Sequence, residues 1–255
     1  MLLAVDIGNT NILFGLFDKD NLIFKARIST DRKITAEQYA LAVQGIVKLK
    51  NAELESVTGA IISSVVPELT ANVKEAIRIL TGVDSLVLGP GVRSGLPIKI
   101  DNPAQLGADL VAGAVGATEK YALPCLVADF GTATKISVID SSGVYRGCVI
   151  SAGVGISLNA LSGSASLLPD IDISAKNCPV FGTNTVSSMQ AGIIQGTASM
   201  LDGMCDKIEE ALGEKAASVV ATGGYADLIL PFCRRKVIYE PELILWGLKK
   251  IYDKN

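Results

Sequence analysis

The stretches Val5-Asp6-Ile7-Gly8-Asn9-Thr10-Asn11 and Ala128-Asp129-Phe130-Gly131-Thr132-Ala133-Thr134 are two copies of one acidic signature, with Asp6 and Asp129 at matching positions 123 residues apart. Each copy follows an apolar run, LLAV or PCLVA, and leads into a second β-like run, ILFGLFD or ISVID. The pattern reads as strand, tight turn, strand. A glycine directly after a strand lets the backbone bend and brings N–H groups close to an anion, while an aspartate at the strand end can hold a metal that bridges phosphates. One such hairpin is ordinary turn chemistry. Two, spaced by about one domain length, predict a duplicated fold with a nucleotide held between its halves.

The duplication extends beyond the signature. After the first hairpin, LIFKARIS reads as a third strand behind the turn DKDN; after the second, YRGCVIS does the same behind SSG. Apolar spacing predicts a helix over 34–50, with Thr35 and Gln38 placed as a capping box, and another over 68–82 closed by Gly82. Strands are expected at 59–66, 85–89 and 218–222, a helix from Pro103 to about residue 121, a long helix capped by Asn184, and a final helix over 242–254. The first half is therefore βββαβαβ. These readings divide the chain into 1–115 and 116–255, with a hinge in the helix near 103–120 and the final helix free to pack back on the first domain. A Gly/Ser-rich stretch, SAGVGISLNALSGSASL, follows the second meander.

Composition narrows the chemistry. At 255 residues the chain has room for two domains of roughly 120. Hydrophobic residues make up 49% of it, yet no apolar run approaches the roughly 18 to 20 residues that span a bilayer. The start, MLLAVD, reads as a buried first strand with no basic leader, so a soluble cytoplasmic protein is expected. The net charge is −3, and the basic cluster Arg234-Arg235-Lys236 lacks interleaved aromatics, which argues against a nucleic-acid partner. Five cysteines lie 23 to 30 residues apart with no C-x-x-C pair, signalling neither a zinc site nor a disulfide framework. There is no histidine, which removes Ser-His-Asp hydrolysis, Cys-His proteolysis and imidazole acid-base chemistry together. Phosphoryl transfer, which relies on positioning and electrostatics, remains open to such a chain.

The candidate residues follow. Asp6 and Asp129, each ending a buried strand, call for a cation or hydrogen bonds to compensate their charge. Gly8, Asn9, Thr10 and Asn11 in one turn, and Gly131, Thr132 and Thr134 in the other, offer N–H groups, amides and hydroxyls to phosphate oxygens. Asp109 lies in QLGADLVAGAVGA, an apolar small-residue helix, and is the natural base for a substrate hydroxyl if it faces the cleft. Gly223 and Gly224, after the strand SVVAT, form a turn without side chains where an adenosine can approach the backbone.

In this order the motifs resemble the actin, hexokinase and Hsp70 ATPase superfamily, and within it the type III pantothenate kinases. DIGNTN, GLPIK at 95–99, NPAQLGAD, DFGTAT, GVGISLNAL, NTVSSMQAGIIQG, ATGG and a closing Pro-x-Leu helix span the whole chain. The resemblance implies an α/β fold of two duplicated ribonuclease H-like domains and ATP-dependent phosphorylation of the primary hydroxyl of pantothenate, the first step of coenzyme A biosynthesis. It further implies magnesium at Asp6, a monovalent cation (potassium or ammonium) at Asp129, Asp109 as catalytic base, Gly107 and Thr185 at the substrate, and a homodimer without membrane or nucleic-acid partners. Three positions depart from the family pattern. Leu110 stands where an arginine usually follows the aspartate, Ile100 or Asp101 where a tyrosine is usual, and SGSASLLP lacks the usual basic residues. An arginine clamp on a carboxylate is a charge-assisted bidentate pair that leucine cannot form. The residues therefore leave open a nucleotide-binding paralogue whose acceptor is lost or changed, acting as a regulatory subunit or as a kinase for another hydroxylated metabolite.

Overall fold

Alternating apolar residues build a meander from the first thirty positions. Strands β1 (Leu2–Ile7), β2 (Asn11–Asp18) and β3 (Asn21–Ser29) pair antiparallel in succession. Helix α1 (Ala36–Leu49) then leads to β4 (Gly59–Ser64), which lies parallel to β1, and α2 (Pro67–Thr81) leads to β5 (Ser85–Val87) beside β4. The sheet order is β3-β2-β1-β4-β5. The computed structural model describes residues 1–54, 56–173 and 178–255.

The same order recurs in a second sheet. Strands β6 (Cys125–Phe130), β7 (Ala133–Ile139) and β8 (Tyr145–Ala152) form the meander; β9 (Ser218–Thr222) and the two-residue β10 (Ile238–Tyr239) complete the order β10-β9-β6-β7-β8. Each sheet thus has a central strand paired antiparallel on one side and parallel on the other. Between them in sequence runs α3 (Ala108–Lys120), and the second sheet carries α4 (Val154–Ser164), α5 (Thr185–Leu212) and the short α6 (Ala226–Ile229). The chain closes with α7 (Leu243–Tyr252).

One expectation needs correction. The helix read from Pro103 to residue 121 is broken: Pro103–Gln105 form a single 3-10 turn capped by the Asn102 side chain, Leu106 is extended, and the helix proper begins at Ala108. Helix α4 occupies most of the Gly/Ser-rich stretch after the second meander. Two of its glycines, Gly153 and Gly155, serve close packing.

The chain folds as two compact units that interleave in sequence. Unit 1 comprises Met1–Leu96, Asp101–Glu119 and Leu243–Asn255; unit 2 comprises Pro97–Ile100 and Lys120–Glu242. In unit 1, Leu3, Val5, Ile7, Phe14 and Leu16 pack against Tyr39 and Val43 of α1 and Leu69 and Val73 of α2. Each such buried side chain contributes about 1.5–3 kcal/mol. The other face is covered by α7, whose Trp246 meets Phe17 edge-on with ring centroids 5.0 Å apart. Helix α7 in turn crosses α3 at a distance only glycine permits: a Cβ on Gly247 would lie 1.7 Å from the Ala112 carbonyl oxygen, and one on Gly116 would lie 2.4 Å from that of Leu243.

In unit 2, Leu126, Ala128, Phe130, Ile136 and Val138 pack on Ile194, Ala198, Leu201 and Cys205 of α5. The carboxyl half of α5 is held by a buried charge network. Arg235 donates to Glu209 (2.6 and 2.9 Å) and to Asp206, Lys215 adds a second cation to Glu209 at 2.8 Å, and Asp202 accepts the backbone N–H groups of Arg234 and Arg235. Among the described residues no helix is long and apolar enough to cross a membrane.

Candidate active site

In unit 1 the turn after β1 is braced from the segment that follows β3. The Gly8 N–H donates to the Asn11 carbonyl at 3.0 Å, the Thr30 hydroxyl donates to the Gly8 carbonyl at 2.7 Å, and the Thr30 N–H reaches the Thr10 carbonyl at 2.9 Å. Asn9 and Thr10 stand exposed at the tip, and Arg32 donates to the Asn9 side chain at 3.1 Å. Register decides which side chains accompany the half-buried Asp6. It pairs with Leu13 on β2 and with Ser63 on β4, so these share one face of the sheet with Asn11 two residues before Leu13. Ser63 is fully buried, and its hydroxyl has no hydrogen-bond partner among the described residues.

Asp109 belongs to the same unit. It lies half-buried in the first turn of α3, and its Oδ1 accepts the Leu110 N–H at 2.8 Å. The carboxylate folds back over Gly107, where a Cβ would sit 2.6 Å from Oδ1 and 3.8 Å from Cγ1 of Val65. Val65 donates its N–H to the Ile7 carbonyl at 3.0 Å. The start of α3 and the strand end that carries Asp6 therefore meet through Val65.

In unit 2 three segments converge. The second turn, Gly131–Thr132, packs against the start of α4, where a Cβ on Gly153 would lie 2.1 Å from the Thr132 carbonyl oxygen. Gly223, at φ +96°, packs on the Phe130 backbone at a distance that leaves a Cβ only 2.5 Å from its carbonyl carbon, and the Tyr225 N–H donates to the Phe130 carbonyl at 3.1 Å. The Tyr225 hydroxyl in turn lies 2.9 Å from where a Cβ on Gly155 would be. Backbone from both turns and the N-terminus of α4, with its outward N–H groups, form one surface suited to an anion. Gly224 is exposed beside it.

Register separates two residues that the signature placed together. Thr134 pairs with Phe130 and shares the α5-facing side of the sheet, while Asp129 points to the other side. Thr134 is buried, and its hydroxyl has no hydrogen-bond partner among the described residues. Asp129 pairs instead with Lys135, whose Nζ lies 2.8 Å from Oδ2 with both side chains 16% exposed. Thr185 stands exposed at the first position of α5, capped by Asn184, whose Oδ1 accepts the Ser187 N–H at 2.9 Å.

In unit 1, Asp6 with the buried hydroxyl of Ser63 on the neighbouring strand fits a carboxylate ligand to magnesium. In unit 2, Gly153 and Gly223 let the second turn, the start of α4 and the end of β9 approach as backbone alone, which fits phosphate. Among the described residues no three His, Cys, Asp or Glu side chains gather into a metal cage. Magnesium needs none, since it is held by one or two carboxylates together with phosphate oxygens and water. A monovalent cation at Asp129 fits less well, because the Lys135 ammonium is already on that carboxylate. At an effective dielectric of about 20, two unit positive charges about 4 Å apart repel by about 4 kcal/mol.

Sequence reasoning missed Ser63, Arg32 and Tyr225, and it did not pair Lys135 with Asp129. That pairing was legible, since counting across the hairpin from Asp129 lands on Lys135.

Comparison with known proteins places the chain. Residues 2–207 match the family model described as type III pantothenate kinase. A type III pantothenate kinase of Shouchella clausii (strain KSM-K16) is 42% identical over 256 residues, covering 100% of each chain. Among solved structures, a Baf family protein from Campylobacter jejuni superposes with a TM-score of 0.63 at 20% identity, covering 99% of this chain and 98% of that one. Component A of the (R)-2-hydroxyglutaryl-CoA dehydratase of Acidaminococcus fermentans gives 0.58 at 15% identity, covering 98% and 96%. At such identities the likeness speaks for the fold alone. With the repeated strand order, it makes this an α/β fold of two duplicated ribonuclease H-like domains, the architecture of the actin, hexokinase and Hsp70 ATPase superfamily.

Proposed function

The chain belongs to the type III pantothenate kinase family, and from that membership we propose that it transfers the γ-phosphate of ATP to the primary hydroxyl of pantothenate, the first step of coenzyme A biosynthesis. The observation that carries the chemistry is Asp109. Its carboxylate sits at the start of α3, beside the strand end that bears Asp6, in a chain without histidine. A carboxylate so placed orients an acceptor hydroxyl and takes its proton late in the transfer.

The remaining residues divide into supporting roles. Asp6 holds magnesium, which when bound neutralises charge developing on the phosphates. Gly8, Asn9, Thr10 and Asn11 of the first turn, and Gly131 and Thr132 of the second, serve the phosphates, while Thr134, turned to the α5 side of its sheet, supports that turn from behind, and Ser63 lends its hydroxyl beside Asp6. Gly223 and Gly224 admit the adenosine, with Tyr225 and the start of α4 supporting that turn. Gly107 keeps space for the Asp109 carboxylate at the acceptor, and Thr185 contacts the acceptor from α5. The free monovalent cation implied at Asp129 has no part in this reading, since Lys135 holds that carboxylate. Exposed apolar side chains between Ile150 and Val186, notably Leu167, Val180 and Phe181, support a homodimer, and light scattering on the purified protein tests it. We place the enzyme in the cytoplasm, as a soluble catalyst of a small-molecule substrate.

The deciding experiment follows ADP release from ATP and magnesium with pantothenate as the acceptor, with mass spectrometry of the phosphorylated product. Pantothenate-dependent release is expected. Release with a different hydroxylated metabolite and none with pantothenate would overturn the assignment of acceptor.

A further inference from the structure

We propose that the Lys135 ammonium is the resident cation of the second phosphate turn, serving Asp129 in place of a free monovalent ion. The evidence is an ion pair made by backbone register. Asp129 on β6 lies directly opposite Lys135 on β7, so both side chains leave the same face, and they close to 2.8 Å at a site only 16% exposed. Carboxylates at such depth require a compensating charge. Here the chain supplies it.

Hairpin length sets up the pairing. Three residues separate Phe130 from its partner Thr134, whereas four separate Ile7 from Ile12 in the first hairpin. Either way the aspartate one step back from the turn meets the residue one step beyond it. That residue is Leu13 in unit 1 and Lys135 in unit 2. Register therefore gives the second aspartate a counter-ion from its own hairpin.

An ammonium is a compact, strongly hydrated point charge with three donors, close in chemistry to a free ammonium ion. Tethered four carbons from the backbone, it acts at a high effective concentration, so occupancy does not depend on the salt in the medium. The nucleotide side of the site then works without potassium or ammonium. Replacing Lys135 by a small neutral residue should open a place that such an ion can fill.

The inference rests on the kinase reading for its turnover arm alone, and the test separates the two. Wild-type protein is dialysed into tetramethylammonium buffer and assayed for ADP release with and without potassium or ammonium. Its rate should change by less than about twofold, the size of a general ionic-strength effect. Lys135→Thr should fall by roughly ten- to a hundred-fold, as when a charge-assisted contact is lost, and should recover on adding potassium or ammonium. Lys135→Gln, checked like Lys135→Thr for native melting, provides a second neutral replacement. Independently of any acceptor, thallium NMR with a non-hydrolysable ATP analogue should detect no bound ion in wild type and one in Lys135→Thr. Potassium stimulation of wild type by about tenfold or more, a bound thallium ion in wild type, or full activity of both variants without potassium would each overturn the proposal. Absence of pantothenate turnover in wild type would instead count against the acceptor, leaving the thallium result to decide the cation.

Discussion

The hairpin of unit 1 sets Asp6 beside Asn11, Leu13 and the buried Ser63, whereas the hairpin of unit 2 sets Asp129 beside Ala133 and Lys135. Both share a signature and both end the central strand of sheets with the same strand order. What differs is one register position. Apolar alternation maintains the topology and tolerates any side chain where the sheet meets the turn. That freedom sets an apolar side chain opposite the first aspartate and an ammonium opposite the second. The coverings differ too. Thr30 and Arg32 brace the first turn from the loop after β3, but the second is capped by the glycine-led start of α4.

The largest test of this asymmetry is Asp109→Asn. Unit 1 carries the proposed base and unit 2 has no counterpart, so kcat should fall by about 10²- to 10⁴-fold while ATP affinity stays near wild type by calorimetry. Weakened ATP binding would mean that Asp109 also serves the nucleotide.

A second test compares the units in acid. Arg235, and then Lys215 and the Ala216 N–H, hold the Glu209 carboxyl down to about 2 from its ordinary 4.5, against the opposing effect of burial. A depressed carboxyl stabilises the fold fully above its unfolded value, and that contribution disappears as pH falls from about 4.5 towards 2. At 1.36 kcal/mol per unit it is worth about 3 kcal/mol to unit 2. The sole tryptophan, Trp246, reports on unit 1. On acidification, helical circular dichroism should begin to fall before Trp246 fluorescence changes, and Glu209→Gln should abolish the lag. Coincident transitions in wild type would show that the units do not melt separately.

The smallest expected effect comes from writing the second hairpin into the first. Leu13→Lys places an ammonium opposite Asp6 and should weaken magnesium-ATP binding by about tenfold, or about 1.4 kcal/mol, with little loss of stability. Unchanged affinity would show that register alone does not create the ion pair.

Much of this was legible in the residues. The meanders followed from alternation, and Gly82 and Asn184 occupy the helix-end positions read for them, because caps are local chemistry. Helix α4 was hidden since Gly153 and Gly155 look like flexibility, yet each is small because another segment presses on it, a tertiary cause that no local pattern reveals. The break before α3 was hidden for a similar reason, Gly107 yielding space to the Asp109 carboxylate. Ser63 looked like one hydroxyl among several, and only the parallel pairing of β1 with β4 puts it beside Asp6. Asp6, Asp109 and Asp129 stood out because charge among apolar neighbours is costly enough to be noticed.

Helix α7 gives the chain an unusual order of completion. The ribosome releases the residues of unit 2 through Glu242 before it has made Leu243–Asn255, the segment that covers the β1–β2 face of unit 1. Until those thirteen residues emerge, Phe17, Gly15 and the glycine seam of α3 lack the α7 residues that pack on them. Nascent unit 1 must wait with an apolar face bare, a state prone to association and suited to chaperone capture. The first sheet to be synthesised is the last to be finished, and a chain stopped at residue 242 retains every phosphate-turn residue while lacking the helix that closes unit 1.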